Sequence, residues 1–532
     1  MHDSCRNCGT TVVPERPPLP DHRQAFHDLL LTNEVPSGVD ILRIRQDSLD
    51  AAANLSIVEA EMDRFEQILA QLACEQQNLR RRLDVNASLL SPFRRFPNEL
   101  LSHIFVECLP EEAADIHVAV LRLGGVCRKW WQVAVSTPHL WASAYLVSNN
   151  RDHRPQIPAS EFWLQRSGNV PLTLTAKYSI RTDPHLPELA AFIMAHAARW
   201  THLDLTVPHI PREICYGKSK LFTSLDSLSV QVFNEHVFTQ TAFQHSPRLR
   251  KVSYRNLNGL LARTPILPWS RLTHLTVCYY IDCDWLKILM EVPDLVECVL
   301  NGMIKHDSTD YGPVEAPKLR SLRVSAQDGL AFFERLVLPA LQDFQFSSKL
   351  LDLPPGVLLS FLLRARCHLT RLSLAYIYIL EDEFIECLHH LSSLRILEIT
   401  ESASRRDSMA MFRDKVIAAL DRNNSTQNAA NDYRECLPDL RVLNLHDLWV
   451  NTHALAAMVR SRWCMPDNAL PPTQSALASL ERMQFDWIRL SPIPEADLEP
   501  LRSLRNDGFD IEYLDAEGKP LRREEEHWDY PQ

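Results

Sequence analysis

Cys5 and Cys8, close to the N-terminus, have the Cys-x-x-Cys spacing that is typical of half a zinc site. A structural zinc ion needs four ligands, which usually come from two such pairs of cysteine or histidine. No second pair follows at a suitable distance, because the nearest candidates, His22 and His27, are too loosely spaced. We therefore expect a linker at the N-terminus, no metal site and no cofactor.

The sequence contains no motif that assembles catalytic chemistry. It lacks Gly-x-Ser-x-Gly, which exposes a nucleophilic serine, Gly-x-x-x-x-Gly-Lys, which binds phosphate, and His-Glu-x-x-His, which binds zinc. A phosphate-binding loop is also hard to place in a chain with only 13 glycines. A cysteine and a histidine can still meet in space, but the sequence singles out no pair. We predict no catalytic residues and a protein that is not an enzyme.

Composition indicates a large globular chain with an acidic balance. A chain of 532 residues is too long to fold around one compact core, so we expect two or more modules. Its content of 45% hydrophobic and 23% charged residues is ordinary for globular proteins. A formal charge of -11 opposes recruitment to nucleic acid or to a membrane surface. The sequence predicts neither a secretory signal nor a membrane span. Thirteen cysteines without a repeating framework indicate reduced thiols, so we expect a cytoplasmic and/or nuclear protein.

Two short segments are dense in apolar residues at helical spacing. The first begins near Pro97, which is accepted at the first position of a helix, and has Glu99 in its first turn. Its apolar stripe comprises Leu100, Leu101, Ile104, Phe105 and Cys108. In the second segment Val126 and Trp130, and likewise Cys127 and Trp131, are one helical turn apart. About fifty residues rarely enclose this much apolar surface, so part of it should meet a partner or a neighbouring domain.

The succession Pro-x-Glu-Leu-Leu-x-x-Ile-Phe, Val-Cys-Arg-x-Trp and Pro-x-Leu-Trp within residues 92–141 resembles the F-box. This resemblance implies docking on the Skp-type adaptor of an SCF-type cullin-RING ubiquitin ligase. The apolar surface that faces the adaptor or fills the interior would comprise Phe96, Pro97, Leu100, Leu101, Ile104, Phe105, Val126, Cys127, Trp130 and Trp131. Phe96 replaces the usual leucine, and the spacer 109–125 between the two helices is longer than usual. The alternative is a helical hairpin buried in the rest of the protein.

A heptad pattern precedes this region. Leu55, Met62, Leu69 and Leu83 occupy the a positions, with Gln76 as the one polar member, and Val58, Phe65, Leu72 and Leu79 occupy the d positions. Such a pattern predicts a long helix and is typical of coiled coils. Residues 55–83 would then form a parallel or antiparallel homodimer. Alternatively, the helix packs its stripe against its own chain, and the sequence leaves both alternatives open.

Downstream, the pattern Leu-x-x-Leu-x-Leu recurs with apolar substitutions. It starts at Trp200, Leu225, Leu249, Leu272, Leu295, Leu319, Leu341, Leu369, Leu394, Leu440 and Leu480. From Leu225 to Leu394 the starts lie 22 to 28 residues apart. Each copy predicts a short strand followed by a helical segment, and stacked copies share a core, which is the organisation of a leucine-rich-repeat solenoid. The combination resembles F-box proteins with degenerate leucine-rich repeats, which are abundant in mushroom-forming (basidiomycete) fungi.

Side chains between the core positions should form the exposed face of the sheet, because successive residues of a strand point to opposite sides. This face is polar and mixed in charge, which suits a protein partner. Among its residues we expect Lys251, Arg255, Arg323 and Arg371 to contact a target. The alternative for most of them is simple solvation of the sheet.

The predicted fold class is therefore a mixed α/β (α+β) chain of several modules. They are a linker (1–38), a coiled-coil helix (39–90), an F-box-like all-α domain (91–141), a solenoid (142–513) with insertions near 401–436 and 464–476, and a flexible tail (514–532). The segment 161–175 predicts a helix, a turn and a strand that begin the solenoid. Two functions remain: a receptor that joins a ligase adaptor to an unknown protein substrate, or a scaffold without a role in ubiquitin transfer.

Overall fold

A computed structural model describes residues 27–32, 34–148, 156–178, 185–211, 214, 222–233, 243–256, 267–278, 285–302, 312–326, 330–348, 354–401, 412–423, 436–448, 450–463, 479–487 and 495–513. The chain divides into two units, residues 1–97 and 98–532. A long helix precedes a parallel sheet whose strands alternate with helices, so the predicted mixed α/β class is confirmed. Among the described residues, every helix is too short or too polar to cross a bilayer.

The described residues of the first unit are mainly helical. α1 is His27–Thr32, which falls in the predicted linker, and α2 is the 53-residue helix Gly38–Leu90. Ser37 begins α2 with a capping box, because its side chain accepts from the Asp40 N–H while the Asp40 carboxylate accepts from the Ser37 N–H. No residue of α2 is buried. The predicted helix is confirmed, and its apolar stripe is exposed.

The second unit begins with three short helices, α3 (Asn98–Glu107), α4 (Ala113–Gly125) and α5 (Arg128–Ser136). The spacer between the two predicted helices is thus largely helical. The prediction that Val126 and Trp130 share one helical turn is wrong. Val126 lies at the C-terminal end of α4, whereas Trp130 belongs to α5, and Cys127 between them has the extended backbone of an N-cap. Trp131 does close a helical turn, since its N–H donates to the carbonyl of Cys127 over 3.0 Å.

In the part of the chain that the structure describes, 14 strands form one parallel sheet in nearly sequential order. They are β1 (Ser143–Ser148), β2 (Leu172–Tyr178), β3 (Trp200–Val207), β4 (Ser227–Val232), β5 (Lys251–Asn256), β6 (His274–Cys278), β7 (Glu297–Gly302), β9 (Ser321–Ala326), β11 (Asp343–Ser347), β12 (Arg371–Ala375), β13 (Ile396–Thr400), β14 (Val442–Leu448), β15 (Arg482–Trp487) and β16 (Asp510–Tyr513). β8 (Val314–Glu315) and β10 (Leu336–Val337) form a separate parallel pair.

Helices alternate with these strands. They are α6 (Ile157–Leu164), α7 (Leu186–Ala195), α8 (Trp285–Glu291), α9 (Leu330–Arg335), α10 (Val357–Ala365), α11 (Glu381–His389), α12 (Asp414–Leu420), α13 (Thr452–Arg462) and α14 (Glu495–Asn506). The predicted insertions and tail lie mostly outside the described residues. Within the predicted insertion 401–436, the structure describes helix α12.

The Leu-x-x-Leu-x-Leu positions form the continuous core of the sheet. The first, fourth and sixth residues are buried in every predicted copy, from Trp200, Leu203 and Leu205 to Leu480, Met483 and Phe485. Each strand pairs in register with its neighbours, so that equivalent core residues lie side by side, as Leu228 does with Val252. One strand and one helix cannot cover these residues, whereas stacked copies cover each other.

The sheet extends beyond the predicted copies at both ends. β1 and β2 precede the first copy and β16 follows the last. The sheet therefore begins at Ser143, one strand earlier than the helix, turn and strand expected over 161–175. Those three elements are present as α6, a turn with Gly168 at φ 54°, and β2. Gly168 suits this turn because residues with a Cβ rarely adopt positive φ.

Arginine side chains also join neighbouring repeats by donating to backbone carbonyls. The Arg199 guanidinium donates to the Val170 carbonyl and to the Ser167 hydroxyl over 3.0 and 2.7 Å. The Arg364 guanidinium donates to the carbonyls of Phe333 and Leu336. Arg462, the last residue of α13, is buried and donates to three carbonyls. Charge-assisted bonds of this kind satisfy carbonyls at the ends of helices and turns that would otherwise be unpaired.

Candidate protein-docking surfaces

Helices α3, α4 and α5 form a packed block with its own interior. Leu101 and Phe105 of α3 are fully buried, and so is Val120 of α4. The Phe105 and Trp130 rings lie 4.9 Å apart at a tilt of 52°. Tilted aromatic pairs at this distance are favourable beyond the area that they bury. Some of the apolar residues that the sequence predicts for docking, such as Leu101 and Phe105, therefore stabilise the helical block itself.

Other apolar side chains of the block are exposed. Of the predicted adaptor residues, Leu100 is 52% exposed, Val126 61% and Trp131 43%. Val118 and Leu121, one turn apart on α4, are also exposed and were missed by the sequence reasoning because the spacer was not recognised as helical. An exposed apolar surface rimmed by polar residues is typical of protein interfaces.

The ten predicted adaptor residues thus divide by environment. Leu101 and Phe105 are buried, Ile104 and Trp130 are half-buried, and Leu100, Val126, Cys127 and Trp131 are exposed. Phe96 and Pro97 belong to the first unit, in which the Phe96 ring lies 5.1 Å from the Phe93 ring. The structure therefore separates a docking subset, Leu100, Val126, Cys127 and Trp131, from an interior subset.

An aromatic cluster joins the block to the sheet; we call Trp131, Trp141, Trp163 and His117 the junction cluster. Trp141 is buried, and its ring lies 4.3 Å from that of Trp163 and 6.5 Å from that of Trp131. The His117 ring meets Trp163 edge-on at 4.3 Å and also hydrogen-bonds the backbone of Ser143 in β1. Burial lowers the pKa of His117, so the neutral imidazole predominates at neutral pH.

Gly124 provides space for this cluster. A Cβ at position 124 would lie 2.6 Å from Cε3 of Trp131, whereas one at Gly125 would meet nothing within 4 Å. We expect Gly124→Ala to displace Trp131 and to lower the free energy of unfolding by about 1–3 kcal/mol. Gly125→Ala, in the same helix, should leave stability unchanged or raise it by up to about 1 kcal/mol. Denaturant unfolding measures both variants, and equal midpoints would contradict the close packing.

The second candidate surface is the polar face of the sheet, on the opposite side of each strand from the core. Most of its side chains are half-buried rather than fully exposed, as in Ser227, Ser229 and Gln231 of β4. The reason is the spacing of adjacent strands, about 4.8 Å, which lets neighbouring side chains cover each other. Lys251 and Arg255 of β5 are exposed on this face.

The other two predicted target contacts interact with the sheet itself. Arg371 lies between two carboxylates, with Nη2 3.0 Å from the Glu398 carboxylate and Nε 4.0 Å from that of Asp343. Arg323 donates to the side-chain oxygen of Gln345 over 2.7 Å. Because these guanidiniums already have partners, Lys251 and Arg255 are better placed to bind an external group.

Buried cysteines of the sheet do not have the environment of nucleophiles. Burial raises the pKa of the Cys298 and Cys387 thiols to about 12, and a protonated thiol is a poor nucleophile. The side chains described by the structure contain no cluster of potential metal ligands. Cys5 and Cys8 lie outside the described residues.

Comparison with known proteins adds no relative from which a function could be transferred. A scan against protein-family models gives no match, and a search of curated proteins finds no similar sequence.

Proposed function

We propose that this chain is the substrate-recognition subunit of an SCF-type cullin-RING ubiquitin ligase. The proposal rests on the F-box-like motif and, above all, on one structural observation. Leu100, Val126 and Trp131 are exposed on a helical block whose interior is already filled by Leu101 and Phe105. These exposed side chains are therefore available to bury against the Skp-type adaptor.

The polar face of the sheet would hold the target. Lys251 and Arg255 are the exposed cations on β5, and their neighbours in register are polar, including Ser227 and His274. A polar surface with positive charge suits a protein segment that carries carboxylates. The receptor would accelerate ubiquitin transfer by bringing the target near the ligase, without chemistry of its own.

Binding of the purified adaptor to the full-length chain tests the proposal. The double variant Leu100→Asp with Val126→Asp replaces two exposed residues, so the fold should be retained. Each side chain would lose about 1.5–3 kcal/mol of burial energy, and we expect adaptor affinity to fall at least about 100-fold. Trp130 is a poor choice for this test because its ring packs on Phe105.

The matched control is Lys251→Glu with Arg255→Glu, which changes the sheet face and should leave adaptor affinity unchanged. If the wild-type chain does not bind the adaptor, or if the Leu100 and Val126 variant binds equally well, the ligase proposal is wrong.

One observation favours the scaffold alternative. Helix α4 packs against β1, the first strand of the sheet, so the helical block also covers an edge that would otherwise be open. If the helical block serves only to cap the sheet, the chain should not bind the adaptor. The binding experiment therefore separates the two functions.

A further inference from the structure

Helix α2 presents a long apolar stripe that no part of the described chain buries. Leu69 and Leu83 at a positions are 65% and 68% exposed, and Leu72 and Leu79 at d positions are 55% and 51% exposed. Apolar residues at this spacing are typical of a two-stranded coiled coil. A second copy of the chain offers the same stripe, and charges on either side of it determine how the two copies can align.

The flanking e and g positions carry acidic residues first and basic residues later. In the heptad register that places Leu55 at a, Glu59, Glu66 and Arg80 are at e, and Glu61, Glu75 and Arg82 are at g. These positions lie next to the apolar stripe and set the orientation of coiled-coil partners.

A parallel dimer gains little from these charges. In that orientation each g residue faces the e residue five positions later in the partner. Glu61 would face the partner's Glu66, which repels, and Glu75 would face the partner's Arg80, which attracts. Each contact occurs twice in a symmetric dimer, so the attractions and repulsions cancel. Gln76 favours this orientation, since the two Gln76 amides could hydrogen-bond to each other.

An antiparallel dimer pairs Glu59 and Glu61 with basic residues of the partner, and it places Glu66 and Glu75 opposite the uncharged Ala73 and Ile68. When Leu69 faces the partner's Leu72, Met62 faces the partner's Leu79 and Val58 faces the partner's Leu83. In this register e faces e and g faces g, so Glu59 meets the partner's Arg80 and Glu61 meets the partner's Arg82. By symmetry each pair forms twice, and no like charges face each other.

The antiparallel register is also specific. A shift by one heptad in one direction places Glu66 opposite the partner's Glu66. A shift in the other direction places Glu75 opposite the partner's Glu75 and leaves Glu66 opposite the partner's Arg80 as its only opposite-charge pair. Both shifts therefore bring like charges together and form fewer opposite-charge pairs than the unshifted register. The number of opposite-charge pairs outweighs the single amide contact that Gln76 would make in a parallel dimer.

We infer that α2 forms an antiparallel coiled coil with a second copy of this chain, centred between Leu69 and Leu72. With a rise of 1.5 Å per residue, the two Leu90 ends would then lie about 60 Å apart. In a parallel dimer those ends would be neighbours, about 10 Å apart. The inference does not rest on the proposed ligase function.

Charge reversal in the full-length chain, followed by sedimentation equilibrium, tests the orientation. Glu59→Arg with Glu61→Arg creates like-charge contacts in the antiparallel dimer and should weaken dimerisation at least about tenfold. In a parallel dimer the same change places a positive charge at position 61 opposite the partner's Glu66, and dimerisation should strengthen. Helix content from circular dichroism should remain constant, because the exchanged side chains lie on the helix surface.

The complementary variant, Arg80→Glu with Arg82→Glu, should also weaken the homodimer. An equimolar mixture of the two double variants should restore dimerisation, because positions 59 and 80, and positions 61 and 82, again carry opposite charges. A monomeric wild-type chain, a dimer unaffected by Glu59→Arg with Glu61→Arg, or one strengthened by it would overturn the inference. Adaptor binding by these variants reports separately on the ligase proposal.

Discussion

Replacing Arg462 with methionine is expected to lower the free energy of unfolding by about 2–4 kcal/mol, because three buried carbonyls lose their donor. The guanidinium donates to the carbonyls of Leu420 and Cys436, and to that of Leu437 over 2.9 Å. Leu420 ends α12, whereas Cys436 and Leu437 follow residues 424–435, which fall within a predicted insertion. Arg462 thus links the residues that precede this segment in sequence to those that follow it. Methionine has a similar volume but no hydrogen-bond donor.

Arg460 provides the matched control, since it is also near the end of α13. Its guanidinium lies 3.4 Å from the Asp507 carboxylate and is 46% exposed. An exposed ion pair contributes little, so Arg460→Met should cost less than about 1 kcal/mol. Guanidinium denaturation of both variants provides the comparison. Similar losses would show that the buried contacts of Arg462 do not determine the stability of this region.

Phe344→Ala is expected to destabilise the chain by about 3–5 kcal/mol through loss of burial and creation of a cavity. Phe344, in β11, is 1% exposed. Its ring centroid lies 5.3 Å from that of Phe361 in α10 and 5.9 Å from that of Phe333 in α9. α9, β11 and α10 therefore share one cluster of aromatic rings, in which the small alanine side chain cannot replace Phe344.

Gln345→Ala tests the opposite face of the same strand. Gln345 is half-buried and accepts a hydrogen bond from Arg323, so its loss should cost about 0.5–1.5 kcal/mol. Thermal unfolding of the two variants checks the predicted alternation. If Gln345→Ala were as damaging as Phe344→Ala, the assignment of core and solvent faces in this strand would be wrong.

The fold was most predictable where a repeat imposes a period. Leu228, Leu275 and Leu322 are buried at equivalent positions because each must pack against its neighbours in the stack. The same argument predicted a helical segment after each strand, and the structure contains such helices as α10 and α11. The heptads over 55–83 predicted the presence of helix α2, which extends beyond them in both directions, from Gly38 to Leu90.

Elements with smaller or irregular core residues were missed. β1 buries Ala144, Leu146 and Ser148, so it lacks the bulky side chains that identify the other strands. β16 is short and buries Ile511. α4 lies in the segment 109–125, which the sequence predicts as a spacer between two helices. Because the sequence did not predict this helix, it could not predict that Val118 and Leu121 are exposed on one helix face. It could not predict the contact between the His117 and Trp163 rings either.

The candidate docking site was only partly predictable for a related reason. Spacing identifies an apolar stripe, but it does not say which members face the interior. Phe105 packs on Trp130 and is buried, whereas Leu100, one residue before the buried Leu101, is exposed. Tertiary packing makes that division, and it determines which substitutions test binding without unfolding the block.

Hydrogen exchange of the full-length chain, with and without the purified Skp-type adaptor, tests the central claim most directly. We predict that the adaptor slows exchange in α3, α4 and α5, around Leu100, Leu121 and Trp131, and leaves strands β4 to β13 unchanged. The adaptor would cover the exposed apolar side chains and stabilise the helices beneath them. No change in these helices at saturating adaptor, or protection confined to the sheet, would contradict the account.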